Sequence, residues 1–195
     1  MKQIILAGFL FLSITAFSQS DILPPEIQIK TAVLAAPEES RSDATVYGYD
    51  ENGKMMVLRE GSNNMICIAD NPDFDGIQVA CYSRKLEPFM ARGRELSAEG
   101  KSEIEKRKIR KEEVESGKLK MPDSPSTLYV FSGSEEHYDK ETGELKDGKF
   151  RYVIYIPYAT PESTGLPTKP EAPGMPWLMD PGTHRAHIMI STPTH

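Results

Sequence analysis

Cys67-Ile-Ala-Asp-Asn-Pro-Asp-Phe-Asp-Gly-Ile-Gln-Val-Ala-Cys81 carries both cysteines of the chain, with Asp70, Asn71, Asp73 and Asp75 between them. The oxygens invite a cation reading. With Asn71 as position 1 of an EF-hand-like loop, Asp73, Asp75 and Gly76 fall at positions 3, 5 and 6. Position 12, where a bidentate carboxylate belongs, is Tyr82, and the flanks MICIA and QVACYS read as strands rather than helices. The other reading is a turn stapled by a disulfide. Asn71-Pro72 and Asp75-Gly76 are ordinary turn chemistry. Two cysteines on neighbouring strands can be brought into bonding range by the chain that turns between them. The residues favour the stapled turn, and a closed loop of about 15 residues would add roughly 3 kcal/mol in the chain-entropy model.

The compartment must permit such a bond, and the first residues speak to this. Lys2 is followed by an apolar run from Ile4 to Phe17, and Ala16 and Ser18 suit the −3 and −1 sites of a signal peptidase. Residues 1–18 are therefore expected to be a signal peptide, too short to span a bilayer, which takes about 20 apolar residues. Removing them leaves 177 residues and takes the formal charge from −6 to −7, since Lys2 is the only charge lost. The mature chain is expected in the periplasm or outside the cell, where disulfides persist. Its acidic balance argues against nucleic acid as a partner, and no later apolar run is long enough to cross a membrane.

Outward from the cysteines, strands dominate. ATVYGYD and KMMVLRE flank Glu51-Asn52-Gly53, a hairpin signal. With the two cysteine strands they predict a meander of four. STLYVFSG, FRYVIYIPYAT and AHIMIS complete the strand set, FRYVIYIPYAT as a central strand because its apolar residues are consecutive. The proline-rich stretch from Pro161 to Pro181 predicts a stiff surface loop. Residues 19–43 read as an extended leader with one strand near Ile27–Leu34. A helical insertion is expected at about 86–120. Leu86, Phe89, Met90 and Gly93 share a helical face there, but Ile104, Ile109 and Val114 stand five apart and share none. Residues 99–120, with eight basic and six acidic side chains, read as a solvated arm held by pairs such as Glu103–Arg107 and Lys111–Glu115. The expectation is one α+β domain, residues 44–195, mainly antiparallel and disulfide-stapled.

Candidate chemistry is sparse. Thr183-His184-Arg185-Ala186-His187 resembles a metal-ligand spacing, but in a strand residues three apart point to opposite faces. Met175, Met179 and Met189 offer soft ligands without a defining pattern. No serine nucleophile motif or glycine-rich phosphate loop is present, and no cofactor is expected. Arg59 and Glu60, at a strand end, make an anion grip and a carboxylate. Glu60 or Asp180 with a neutral His187 is the one acid–base pair the chain offers.

The string Val57-Leu58-Arg59-Glu60-Gly61-Ser62-Asn63, with Cys67, Asp70, Cys81, Leu128–Gly133 and His187–Ile190, resembles a family of exported bacterial proteins of unknown function. These share an LREG(S/T)N segment, two cysteines and a C-terminal HIMI-type strand. Met65 stands where that family usually has tryptophan, and residues 99–120 look inserted. The resemblance implies export and a shared domain and names no reaction. The favoured expectation is a non-enzymatic module binding a small ligand or protein partner; the alternative is an exported hydrolase built on His187.

Overall fold

The structure is a computed structural model that describes residues 22–192. The expected signal peptide lies outside the described residues. The fold is α+β, built on one eight-stranded, mostly antiparallel sheet. Its strands are β1 (Thr45–Tyr49), β2 (Met55–Arg59), β3 (Met65–Ile68), β4 (Ile77–Ser83), β5 (Ser126–Gly133), β8 (Lys149–Tyr155), β9 (Trp177–Met179) and β10 (His187–Ser191). A separate ribbon pairs β6 (Tyr138–Asp139) with β7 (Glu144–Leu145).

The strand order is β2-β1-β3-β4-β5-β8-β10-β9. The first four strands are thus not a simple meander. The Asn52-Gly53 hairpin forms, with Gly53 at positive φ, but the chain leaving β2 crosses β1, so β3 pairs with β1 in parallel on its other side. Alternation fixes which face a side chain takes, not which neighbour a strand chooses. β8 is internal, between β5 and β10. The proline-rich stretch does contribute one short edge strand. Trp177–Met179, free of proline between Pro176 and Pro181, pairs with β10.

Cys67 and Cys81 are directly opposite on β3 and β4 and form a disulfide. Both are fully buried. They sit on the face covered by α1 (Pro25–Ala32) and the tight turns after it, with Ala32, Ala35, Ala36, Val46, Val79 and Phe131. The expected extended leader is therefore a packed helix instead. Pro25 at its first position and Glu26 in its first turn are helix-start signals. Ile27, Thr31 and Leu34 repeat with helical period under β-branched residues that mimic a strand.

The opposite face is covered by α2 (Glu87–Ala98) and α3 (Glu103–Glu115). Ile66, Tyr82, Leu86, Phe89, Val153 and Tyr155 form its core. α3 begins at a capping box between Ser102 and Glu105. It is not a free arm. Arg92 of α2 donates from Nε to both Glu113 oxygens, at 3.1 and 2.9 Å, and Val114 packs into the core. These contacts hold the Glu113 carboxyl below its ordinary pKa, Arg92 contributing most. Lys111–Glu115 pairs as expected at 2.6 Å, while Glu103 pairs with Lys106 rather than Arg107.

Candidate functional site

Arg59, Glu60 and His187 do not converge. β2 is one edge of the sheet and β10 is the seventh strand in the order. At about 4.8 Å per strand, that places them nearly 30 Å apart. Arg59 holds backbone instead, donating from Nε to Ala44 O at 3.0 Å and from Nη2 to Arg41 O at 2.5 Å. Asn63 donates to Ser40 O and accepts from the Met65 amide. Between them, a Cβ on Gly61 would stand 2.2 Å from the Thr45 nitrogen and 2.3 Å from Asp43 O. The Arg59-to-Asn63 segment is a backbone clasp that pins residues 40–45, and only glycine allows that approach. Glu60 is exposed beside it.

Two side-chain oxygens of the loop between the cysteines cap its own backbone. Asn71 Oδ1 accepts the Asp73 amide at 3.1 Å, and Asp70 Oδ1 accepts the Gln78 amide at 2.7 Å. Asp75 leads into Gly76, which has positive φ. Among the described residues no group of three or more His, Cys, Asp or Glu side chains is arranged to hold a metal.

His184 and His187 are both buried. His187 Nδ1 donates to Arg185 O at 2.6 Å, which leaves the lone pair on Nε2, and its ring stacks on Tyr155 at 5.2 Å. Burial pushes its pKa down, with the Arg185 carbonyl and the Asp180 charge partly opposing. His184 meets the edge of Phe89 at 5.9 Å, and its Nε2 has no partner among the described residues. Its pKa is also lowered, by burial first and then by the charges of Arg185 and Arg110. Asp180 lies close enough to His187 to be felt, but it answers Arg185 Nη2 at 3.5 Å. The position a carboxylate takes in an acid–base pair, at Nδ1, is filled by a carbonyl. The hydrolase constellation is not assembled.

Phe89 and Tyr155, the rings the two histidines pack on, line a hollow of about 450 Å3 on the α2–α3 face of the sheet, with Tyr82, Arg94, Arg110 and Arg185 among others. That volume is in the range of small-molecule sites. Its three arginines differ. Arg94 is matched, donating to Glu87 at 2.7 Å and to the Tyr82 hydroxyl at 2.6 Å. Arg185 has Asp180, yet its Nε is buried with no acceptor. Arg110 has no carboxylate partner among the described residues. Its guanidinium lies 4.3 Å above the Phe89 ring and reaches only backbone carbonyls, Lys106 O and Phe89 O, each at 3.4 Å. Burial lowers its pKa, and the charge of Arg185 lowers it further. Tyr155 is pushed up by burial and so stays protonated. Its hydroxyl makes no hydrogen bond among the described residues.

The sequence hid this site. Arg110 belongs to the charge run read as solvated, and Arg185 sits between two histidines that drew the attention. One signal was present: Gly93 on the apolar face of α2. A Cβ there would lie 3.0 Å from Arg110 Nη1, so glycine, although poor for helices, makes room for the guanidinium.

Searches against protein-family models, curated proteins and solved structures found no match to the chain.

Proposed function

We propose that this is an exported binding module for a small organic anion with an apolar or aromatic body, seated in the arginine hollow. The observation that carries the reading is Arg110, a half-buried guanidinium that has no carboxylate partner among the described residues, near a second arginine whose Nε lacks an acceptor among them. Holding Arg110, half-buried and without a carboxylate partner, near the charge of Arg185, which has only Asp180 at 3.5 Å, costs free energy, which a bound carboxylate or phosphate would return. Arg110 and Arg185 would take the anion, Tyr155 would add a neutral donor, and Phe89 and Tyr82 would floor the site. Export is supported by the Cys67–Cys81 disulfide, by the apolar run of residues 4–17, and by the motif resemblance. Among the described residues no helix is long and apolar enough to cross a membrane.

The test is calorimetric titration at low salt with aromatic carboxylates, aliphatic carboxylates and phosphate monoesters. Saturable binding of one class is expected, weakened in Arg110→Gln by about 2 kcal/mol, roughly thirtyfold, the worth of a charged hydrogen bond. Absence of binding across the panel, or an Arg110→Gln protein that binds as tightly as the parent, overturns the reading.

A further inference from the structure

We infer that a second site, on the opposite side of the cysteine loop, recognises an alkylammonium group. A cavity of about 140 Å3 lies between α1, the 69–76 loop and the 135–140 turn. Its wall includes the Asp70 carboxylate and the aromatic side chains Tyr49, Phe74 and Tyr138. Gln28, Thr31 and the Tyr138 hydroxyl, three further polar groups of the wall, are already engaged. Gln28 donates to Leu23 O and Tyr49 O and accepts the Tyr49 amide. Thr31 bonds Ile27 O, Gly143 O and the Tyr138 hydroxyl, the last at 2.7 Å. What remains is the Asp70 and Glu135 carboxylates, neither in a salt bridge among the described residues, the Lys140 ammonium, rings that offer π faces, and Phe74, which is 71 % exposed although large and apolar.

Carboxylate plus aromatic faces is the chemistry that binds organic ammonium ions. The volume is close to that of cavities, about 150 Å3, that accept a benzene-sized guest, so a methylated ammonium head fits. A metal ion would need more oxygens than Asp70 and Glu135 provide. Lys140 is the one cationic side chain of the wall, against these two carboxylates.

Asp70 shares the wall with Tyr49 from β1 and with Glu135, Tyr138 and Lys140 from the 135–140 segment, while Asp73 acts on Tyr49 and Asp139 on Tyr138. Burial raises its pKa to about 6, and Glu135 adds to this. The carboxylate that a cation needs is therefore lost as pH falls through that value.

The test is titration of the protein with tetramethylammonium and choline chlorides, followed by amide chemical shifts and compared with sodium chloride at equal ionic strength. Saturable shifts at residues 70–78 are expected with the organic cations and not with sodium. Affinity should fall about tenfold between pH 7.5 and pH 5, in step with ionisation of a group near pH 6. Asp70→Asn keeps an oxygen for the Gln78 amide and should weaken binding at least tenfold. Tyr138→Phe keeps the ring and should retain binding, whereas Tyr138→Leu should lose it; these and the parent's pH series hold should Asp70→Asn fold poorly. Choline binding without retention on phosphatidylcholine vesicles assigns a soluble amine, and vesicle retention that choline competes away assigns a lipid headgroup. No saturable shift with either cation, or Asp70→Asn binding like the parent, overturns the inference. Tyr49 and Phe74 border both cavities, but Arg110 lines only the arginine hollow, so Arg110→Gln should leave this site unchanged and the two sites fail separately.

Discussion

Asp70 and Arg110 are each charged in surroundings that disfavour their charge, and each lines a hollow. Side chains held this way cost folding free energy, and such costs gather at binding sites. For Asp70 the cost has a testable sign. Its folded pKa, about 6, is above the ordinary aspartate value of 3.8. The group therefore favours the folded state below about pH 4, and that contribution is lost as pH rises through 6. Asp70→Asn cannot ionise. Its stability relative to the parent should rise from near zero at pH 4 to about 1 kcal/mol at pH 7.5, allowing for solvent screening of a partly exposed group. Urea denaturation at the two pH values checks this. The two histidines, with lowered pKa values, act in the opposite direction but are shared by both proteins and cancel in the difference. A difference independent of pH would refute the account.

Among the elements, the cysteine hairpin and the Arg59-to-Asn63 clasp divide the labour of holding the sheet's first half. The disulfide ties β3 to β4 under α1, and the clasp ties the chain ahead of β1 to the end of β2. Gly61→Ala would drive a methyl group into the backbone at Asp43–Thr45, which cannot move without breaking the Arg59 and Asn63 contacts. A loss of at least about 2 kcal/mol is expected by chemical denaturation, with the disulfide still formed. Unchanged stability would mean the clasp is looser than its geometry. At this scale the sequence was readable in part. Asn52-Gly53 marked its hairpin, and Cys67 and Cys81 marked their pairing, because turn chemistry and covalent reach are local. The role of Arg59 was not, since its partners, Arg41 O and Ala44 O, are backbone atoms that leave no trace in side-chain pattern.

Over the whole molecule, three layers form: α1 with its turns, the sheet, and the α2–α3 pair. The first layer makes residues 22–43 part of the core rather than a leader, with Ile27, Ala32, Ala35 and Ala36 buried. A chain beginning at Ala44 should lack a cooperative thermal transition by circular dichroism and should bind a hydrophobic dye. A sharp melt would instead show the segment to be dispensable. Its helix was missed because Ile27, Ile29 and Val33 carry strand propensity that tertiary packing overrode. The sequence by itself determined the positions of β1 to β5, β8 and β10, the hairpin turn, the disulfide pair and the α+β class, because each follows from periodicity, turn residues or spacing within a short stretch. Only the tertiary structure decided that β3 lies parallel to β1, that Arg59 and Glu60 stand six strands from His187, and that Arg110 and Arg185 face one hollow. Those outcomes depend on strand order and on helices folding back across the sheet, and burial and Coulomb forces act on that proximity, which residue order does not encode locally.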